Sequence, residues 1–145
     1  MNALDMRIRE PGPGDIPACV ALAAQVIDER RAVVLLRAHA ERRELLVAEA
    51  AGAVAGVLAY RTDWFQCTFV NVIAVAEATR RHGVARALLD AVAERSPSPR
   101  LFSSTEETNT AAIRMHRALG FAAAGYIDHL PQGYRELLFY RRRQP

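Results

Sequence analysis

The sequence has no lysine: all 19 basic residues among its 145 are arginine. Arginine suits phosphate, which raises nucleic acid as a partner. Yet 16 acidic residues are interleaved with the basic ones, and the formal charge at pH 7 is only +3. No basic helical stretch alternates with aromatic residues, so nucleic acid is not the expected partner. The run Arg141-Arg142-Arg143 reads as a solvated tail, and abundant arginine without lysine can reflect coding bias alone.

Cysteine and histidine are scarce as well. Cys19 and Cys67 lie far apart without a C-x-x-C or metal spacing, and both read as small hydrophobes rather than a disulfide or a nucleophile pair. The four histidines, His39, His82, His116 and His129, show no H-E-x-x-H or comparable pattern, so no metal is expected. No apolar run approaches the roughly 20 residues of a membrane span. The opening M-N-A-L-D-M-R-I-R-E-P carries no signal-peptide core. These absences predict a cytoplasmic protein with no membrane partner. Internal repeats and linkers are missing too.

What remains is a 51% hydrophobic chain, long enough to bury a core as one domain over residues 1–145. Met6 to Glu10 alternates as a first strand and is stopped by Pro11-Gly12-Pro13-Gly14. Asp15 is a candidate N-cap for a helix that runs to about Arg30, with Pro17 early in it. Ala32 to Arg43 reads as a second helix. Glu44 to Ala50 and Ala53 to Tyr60 are strand-like and joined at Ala51-Gly52, a hairpin turn. Arg61 to Gln66 then reads as a polar-aromatic loop, in which Trp64 and Phe65 either wall a pocket or pack at a strand end.

Phe69 to Val75 is apolar and β-branched, which is strand composition. After a polar link from Glu77 to Arg81, Val84, Leu88 and Val92 recur four apart beside Ala85 and Leu89, giving a helix with one apolar face. At the joint stands Arg80-Arg81-His82-Gly83-Val84-Ala85. The first amides of a helix have no partner within it, and the helix dipole places positive charge at the same end. Glycine lets a ligand approach the backbone closely, and flanking arginines add formal charge, so the joint suits phosphate or pyrophosphate. The same spacing also serves ordinary helix starts.

Ser96-Pro97-Ser98-Pro99 stops that helix, and Leu101 to Thr105 is a short strand. Asn109 to Phe121 reads N-T-A-A-I-R-M-H-R-A-L-G-F, a helix capped by Asn109 and stopped at Gly120, with Phe121 turning into the core. Ala122 to Leu130 and Glu136 to Arg142 complete the chain as two strands linked by Pro131-Gln132-Gly133.

The R-x-x-G-x-A of Arg80 to Ala85, directly after a V-I-A-V strand, resembles the acetyl-CoA signature of the GNAT (general N-acetyltransferase) superfamily. The N-x-x-A…L-G-F of Asn109 to Phe121 resembles that family's second motif, in the right order. The resemblance covers the whole length. It implies an α+β fold in the order β-α-α-β-β-β-α-β-α-β-β: a mixed, mostly antiparallel sheet of about seven strands flanked by about four helices. It also implies transfer of an acetyl group from acetyl-CoA to a primary amine of a small molecule or a protein, by direct attack and without a metal. The alternative is an acyl-CoA-binding module without turnover. A homodimer through the last strands is the oligomer such a resemblance suggests.

By the same resemblance, backbone amides and side chains of Arg80, Arg81, His82, Gly83, Val84, Ala85 and Arg86 would hold the pyrophosphate. A backbone N–H near Ile73, Ala74 and Val75 would face the developing oxyanion, and Asn109 with Ala112 would touch the cofactor. Many members carry a tyrosine as general acid seven residues after the motif asparagine; here that position is His116. It would donate to the departing thiolate or merely neighbour the cofactor, and Tyr126 and Tyr134 are lesser candidates for the phenol. Asn71 cannot take a proton but can hold a water that passes one on. Glu49, Asp63, Glu106 and Glu107 are candidate bases without a motif behind them, and the acceptor amine is not legible.

Overall fold

The structure, a computed structural model, describes residues 5–143. The first four residues of the opening stretch and the last two of the chain lie outside them. The elements are β1 (Met6–Arg9), α1 (Ile16–Ala23), α2 (Glu29–Glu41), β2 (Leu45–Ala50), β3 (Ala53–Trp64), β4 (Cys67–Val75), α3 (Val84–Arg95), β5 (Arg100–Glu106), α4 (Thr110–Ala118), β6 (Ala122–Ile127) and β7 (Glu136–Arg142). The seven strands form one sheet in the order β1-β2-β3-β4-β5-β7-β6. β4 and β5 run parallel, whereas β1–β2, β2–β3, β5–β7 and β6–β7 are antiparallel. Element order and sheet type are those expected. Contacts divide the described residues into two compact units, one reaching Arg61 and including Asn71–Arg95, the other comprising Thr62–Val70 and everything from Ser96 onward.

In the first unit, Cys19, Leu22 and Ala23 of α1 and Ala32 and Leu36 of α2 pack on Leu45, Val47, Val57, Ala59, Val72 and Ala74. Side chains alternate across a strand, so Gly56, next to Val57, faces the other way. A Cβ there would lie 2.7 Å from Val84 Cγ1 and 3.1 Å from Leu88 Cδ1. Bare backbone at Gly56 therefore lets α3 sit directly on β3 and fixes where α3 begins. The β2–β3 turn has φ of 52° at Ala51 and 75° at Gly52, the doubly left-handed geometry of a tight hairpin.

The first helix is shorter than expected. α1 stops at Ala23, and Asp28 caps α2 by accepting from the Arg31 amide at 3.2 Å. The second helix thus starts at Glu29, three residues before the expected Ala32, because the Asp28 side chain supplies the cap there. Asp15 makes no side-chain cap on α1. Its carboxylate instead accepts from the Gly12 amide at 2.7 Å and from Arg9 at 2.7 Å, and Arg9 also reaches Glu49 at 2.9 Å. These contacts hold the Asp15 carboxyl below the usual carboxylate range, the Arg9 hydrogen bond being the main cause.

The second unit corrects two further expectations. Arg61 to Gln66 is not a loop: β3 continues to Trp64, and only Phe65 (φ 50°) and Gln66 (φ 62°) turn. Polar residues hid a strand whose end is packed, since the Trp64 ring lies 4.8 Å from Phe69 and 5.1 Å from Phe102. Nor is Arg141–Arg143 a solvated tail. Arg141 donates to the Leu119 carbonyl, and Arg143 donates to the Ser96 carbonyl at 2.9 Å and, through its amide, to that of Pro99 at 2.7 Å. The α4 ending is as read. Gly120 (φ 88°) donates to the Arg117 carbonyl and Phe121 to that of His116, a Schellman closure that drives Phe121 inward to 5% exposure.

Candidate functional site

The joint after β4 is built by backbone conformation. A single 3-10 turn, Glu77–Thr79, is tied down by Thr79 Oγ1 donating to the Ala76 carbonyl at 3.0 Å. Arg81 then adopts φ 67° and Gly83 φ 80°. A non-glycine residue in the left-handed region is strained, and such strain gathers where a backbone must present itself to something. The Gly83 carbonyl accepts from the Ala87 amide at 3.0 Å, the first α3 hydrogen bond of this kind. The amides of Val84 and Ala85, which precede that bond, consequently have no carbonyl one turn back. Val84 points its side chain into the core at 2% exposure, so the first turn is anchored while Arg81, His82, Gly83 and Arg86 are exposed and Ala85 half-buried. A Cβ built at Gly83 meets nothing within 4 Å. Open space at the start of a helix, with arginines on either side, fits a pyrophosphate.

Arg80 is spent differently. Its guanidinium donates to the Val75 carbonyl and to Gln25 Oε1, each at 3.3 Å, and closes the end of β4. On β4 itself, Ile73 and Val75 are half-buried, Ala74 is buried and Asn71 is exposed. The parallel ladder with β5 covers Thr68, Phe69 and Val70 against Leu101, Phe102 and Ser103. From Asn71 to Val75 the β4 backbone runs on outside those pairs.

In the second unit Asn109 is an N-cap, its Oδ1 accepting from the Ala112 amide at 3.0 Å. The Ala112 carbonyl is used as well, by the His116 ring Nδ1 at 2.7 Å. His116 is 4% exposed, stacked on Phe139 at 4.5 Å between ring centres, and its Nε2 meets Ser103 Oγ at 2.8 Å. A carbonyl can only accept, so Nδ1 carries the proton and Nε2 accepts from the Ser103 hydroxyl. Burial holds the ring's pKa below its usual value. The expectation that His116 protonates a thiolate is therefore revised: both ring nitrogens are committed inside the fold, and the residue is a strut between α4, β5 and β7. Tyr126 lies under the Arg135 guanidinium at 3.8 Å, and Tyr134 is exposed. Of the candidate bases, Glu49 is ion-paired to Arg9. Burial pushes the Cys19 thiol up to about 11, which leaves it inert.

His39 on α2 shares His116's character. It is 3% exposed, its Nδ1 donates to the Glu44 carbonyl at 3.2 Å, and burial, then Arg42, lowers its pKa. Both histidines are neutral in the fold and free to protonate once unfolded. The unfolded chain therefore binds more protons below about 6.5, and stability must fall as pH drops through that value toward the depressed native pKa values. We expect the melting temperature to be level above pH 7 and to decline below about 6.5, with a limiting slope of about 1.4 kcal/mol per pH unit per histidine. Thermal melts of wild type and His116→Gln between pH 5 and 8 check this. The variant should lose part of the slope, and parallel curves would refute the assignment.

One feature had no sequence signal. Beside α2 opens a cleft of about 490 Å³, lined by Arg30, Arg31, Arg42, Arg61, His39 and Asn71, with Val34, Leu35 and Ala38 as its apolar part. Successive arginines at a helix start and one at a strand end carry no spacing that links them; only the fold brings them together.

Residues 18–121 match the sequence profile of the Acetyltransferase (GNAT) family. The L-methionine sulfoximine/L-methionine sulfone acetyltransferase of Pseudomonas aeruginosa is 28% identical over 149 aligned positions, covering 88% of this chain and 86% of that protein. Among solved structures, a GNAT-family acetyltransferase from Bacillus cereus superposes with a TM-score of 0.85 at 27% identity, covering 97% of this chain and 99% of the other. The yncA protein from Salmonella typhimurium, solved with its cofactor acetyl-CoA, superposes at 0.69 with 20% identity over 99% and 95% of the two chains.

Proposed function

The chain belongs to the GNAT family of acetyltransferases, and from that premise we propose that its own residues divide the work of N-acetyl transfer from acetyl-CoA as follows. The observation that carries the reading is the start of α3, where left-handed Arg81 and Gly83 open the first-turn amides to the outside and leave room in front of them. Those amides, with the exposed Arg81, His82 and Arg86, hold the pyrophosphate. Main-chain groups of Ile73, Ala74 and Val75 serve the pantetheine and the thioester oxygen, since this part of β4 lies outside the β5 ladder. Arg80 supports that segment by holding the Val75 carbonyl. Asn109 and Ala112 use their polar groups within α4, so their part is to cap and orient that helix.

The acceptor amine attacks the thioester carbon directly. A water held at Asn71 takes the proton the amine loses as the new C–N bond forms, and the C–S electrons leave with the thiolate, which is protonated by water. No step passes through His116. A cytoplasmic location follows from the chemistry, because acetyl-CoA is an intracellular metabolite; the described residues contain no helix long and apolar enough to cross a membrane. All six residues of β6 are exposed, which supports a homodimer through β6 and β7.

The test is thiol release from acetyl-CoA over a panel of amines that includes free amino acids, polyamines and peptide N-termini, with acetyl-CoA binding followed by calorimetry. Micromolar binding with turnover of at least one amine is the expected result. Absence of binding would remove the proposed role of the α3 start.

A further inference from the structure

The cleft beside α2 has a one-sided chemistry. Its lining contains four guanidinium groups, from Arg30, Arg31, Arg42 and Arg61, and no carboxylate. His39, the remaining titratable residue in the lining, is kept neutral by burial. Arg42 has a counter-charge outside the lining in Glu44, at 3.3 Å, whereas Arg30 and Arg31 are exposed on the first turn of α2. Beside these cations lie Val34, Leu35 and Ala38, a short apolar surface on the same helix. Such a lining repels a polyamine and attracts an anion that carries an apolar portion.

Its position ties it to the reaction. Asn71 is a lining residue, and it stands two residues before Ile73 on the same strand. Two residues of strand span roughly 7 Å, about the reach of one arginine side chain. A small molecule seated in the cleft beside Asn71 can therefore reach the β4 segment assigned to the thioester. Resting on the proposed acetyl transfer, we propose that the α2 cleft is the acceptor subsite and that it selects amines bearing a carboxylate, that is, free α-amino acids with an uncharged side chain. Arg30 and Arg31 bind the α-carboxylate, Val34, Leu35 and Ala38 bind the side chain, and the α-amine is presented to the thioester.

Three matched acceptors test the carboxylate: L-methionine sulfone, its α-amide, and the corresponding amine lacking the carboxyl group. Each is assayed by thiol release with wild type and with an Arg30→Gln/Arg31→Gln double variant. The wild type should prefer the acid by about tenfold or more in kcat/KM. In the variant that preference should collapse through a higher KM for the acid, with acetyl-CoA affinity unchanged. Equal use of acid and amide by the wild type, or an unchanged preference in the variant, overturns the proposal while leaving acetyl transfer intact. Loss of thiol release with every amine would instead count against the function itself. Calorimetric binding of the N-acetylated acid and N-acetylated amide reads the subsite without turnover. Tighter binding of the acid to wild type, lost in the variant, supports it, and equal binding of the two refutes it.

Discussion

Replacing Gly83 with glutamate should lower acetyl-CoA affinity by about 100-fold or more, about 2.7 kcal/mol, with the protein still folded. Two effects separate cleanly at this position. Gly83 has φ 80°, so any side chain costs strain, about 1–2 kcal/mol for the left-handed region. Beyond its own chain neighbours, nothing lies within 4 Å of a Cβ there, so no clash adds to that cost. Gly83→Ala carries the same strain without a charge, and serves as the control. Both variants should melt a few degrees lower than wild type and by similar amounts. Their affinities should part, because only glutamate brings a carboxylate in front of the amides of Val84 and Ala85, where it competes with and repels the pyrophosphate. Calorimetry with acetyl-CoA decides the matter. If the glutamate variant binds within threefold of the alanine variant, the pyrophosphate is held elsewhere.

The start of α3 is legible in the sequence because its determinants are local. Glycine before a helical apolar repeat, arginines around it and a β-branched run ahead of it are contiguous, and contiguous signals are what a sequence displays. The helix cap at Asn109 and the Gly120-Phe121 closure are legible for the same reason. The departures come where a local signal competes with a tertiary one. Asp15 has the right residue type for a cap, yet Arg9 and the Gly12 amide take its carboxylate. Arg61 to Asp63 looks like loop, yet ring packing of Trp64 with Phe69 and Phe102 draws the chain into β3. Arg141 and Arg143 look solvated, yet carbonyls of Leu119 and Ser96 receive them. The arginine-lined cleft is invisible in the sequence, because Arg30 and Arg61 are brought to it by the packing of α2 against the sheet rather than by any spacing along the chain.

His116 is the case in which motif position and environment give opposite answers, and a variant separates them. Position suggests an acid for the thiolate. An acid of that kind would lose about 100-fold in kcat on truncation with little change in stability. The environment predicts the reverse for His116→Ala. The stack on Phe139 and the edge contact with Phe121, at 4.5 and 5.4 Å between ring centres, would be replaced by a cavity. Ser103 Oγ would also lose the partner it has at 2.8 Å. Cavity and orphaned hydroxyl together should cost about 3–4 kcal/mol, a melting shift of roughly 10 °C for a chain of this size. Ser103→Ala is the milder companion, since it removes only the donor to Nε2 and should cost about 1–2 kcal/mol. Measured by urea unfolding, and by kcat at a temperature where every variant is folded, both should show clear stability losses with kcat within about threefold of wild type. A collapse of kcat in a fully stable His116→Ala would restore the acid. The expected pattern leaves proton delivery to solvent and gives His116 the task of holding α4, with Asn109 at its start, against β5 and β7.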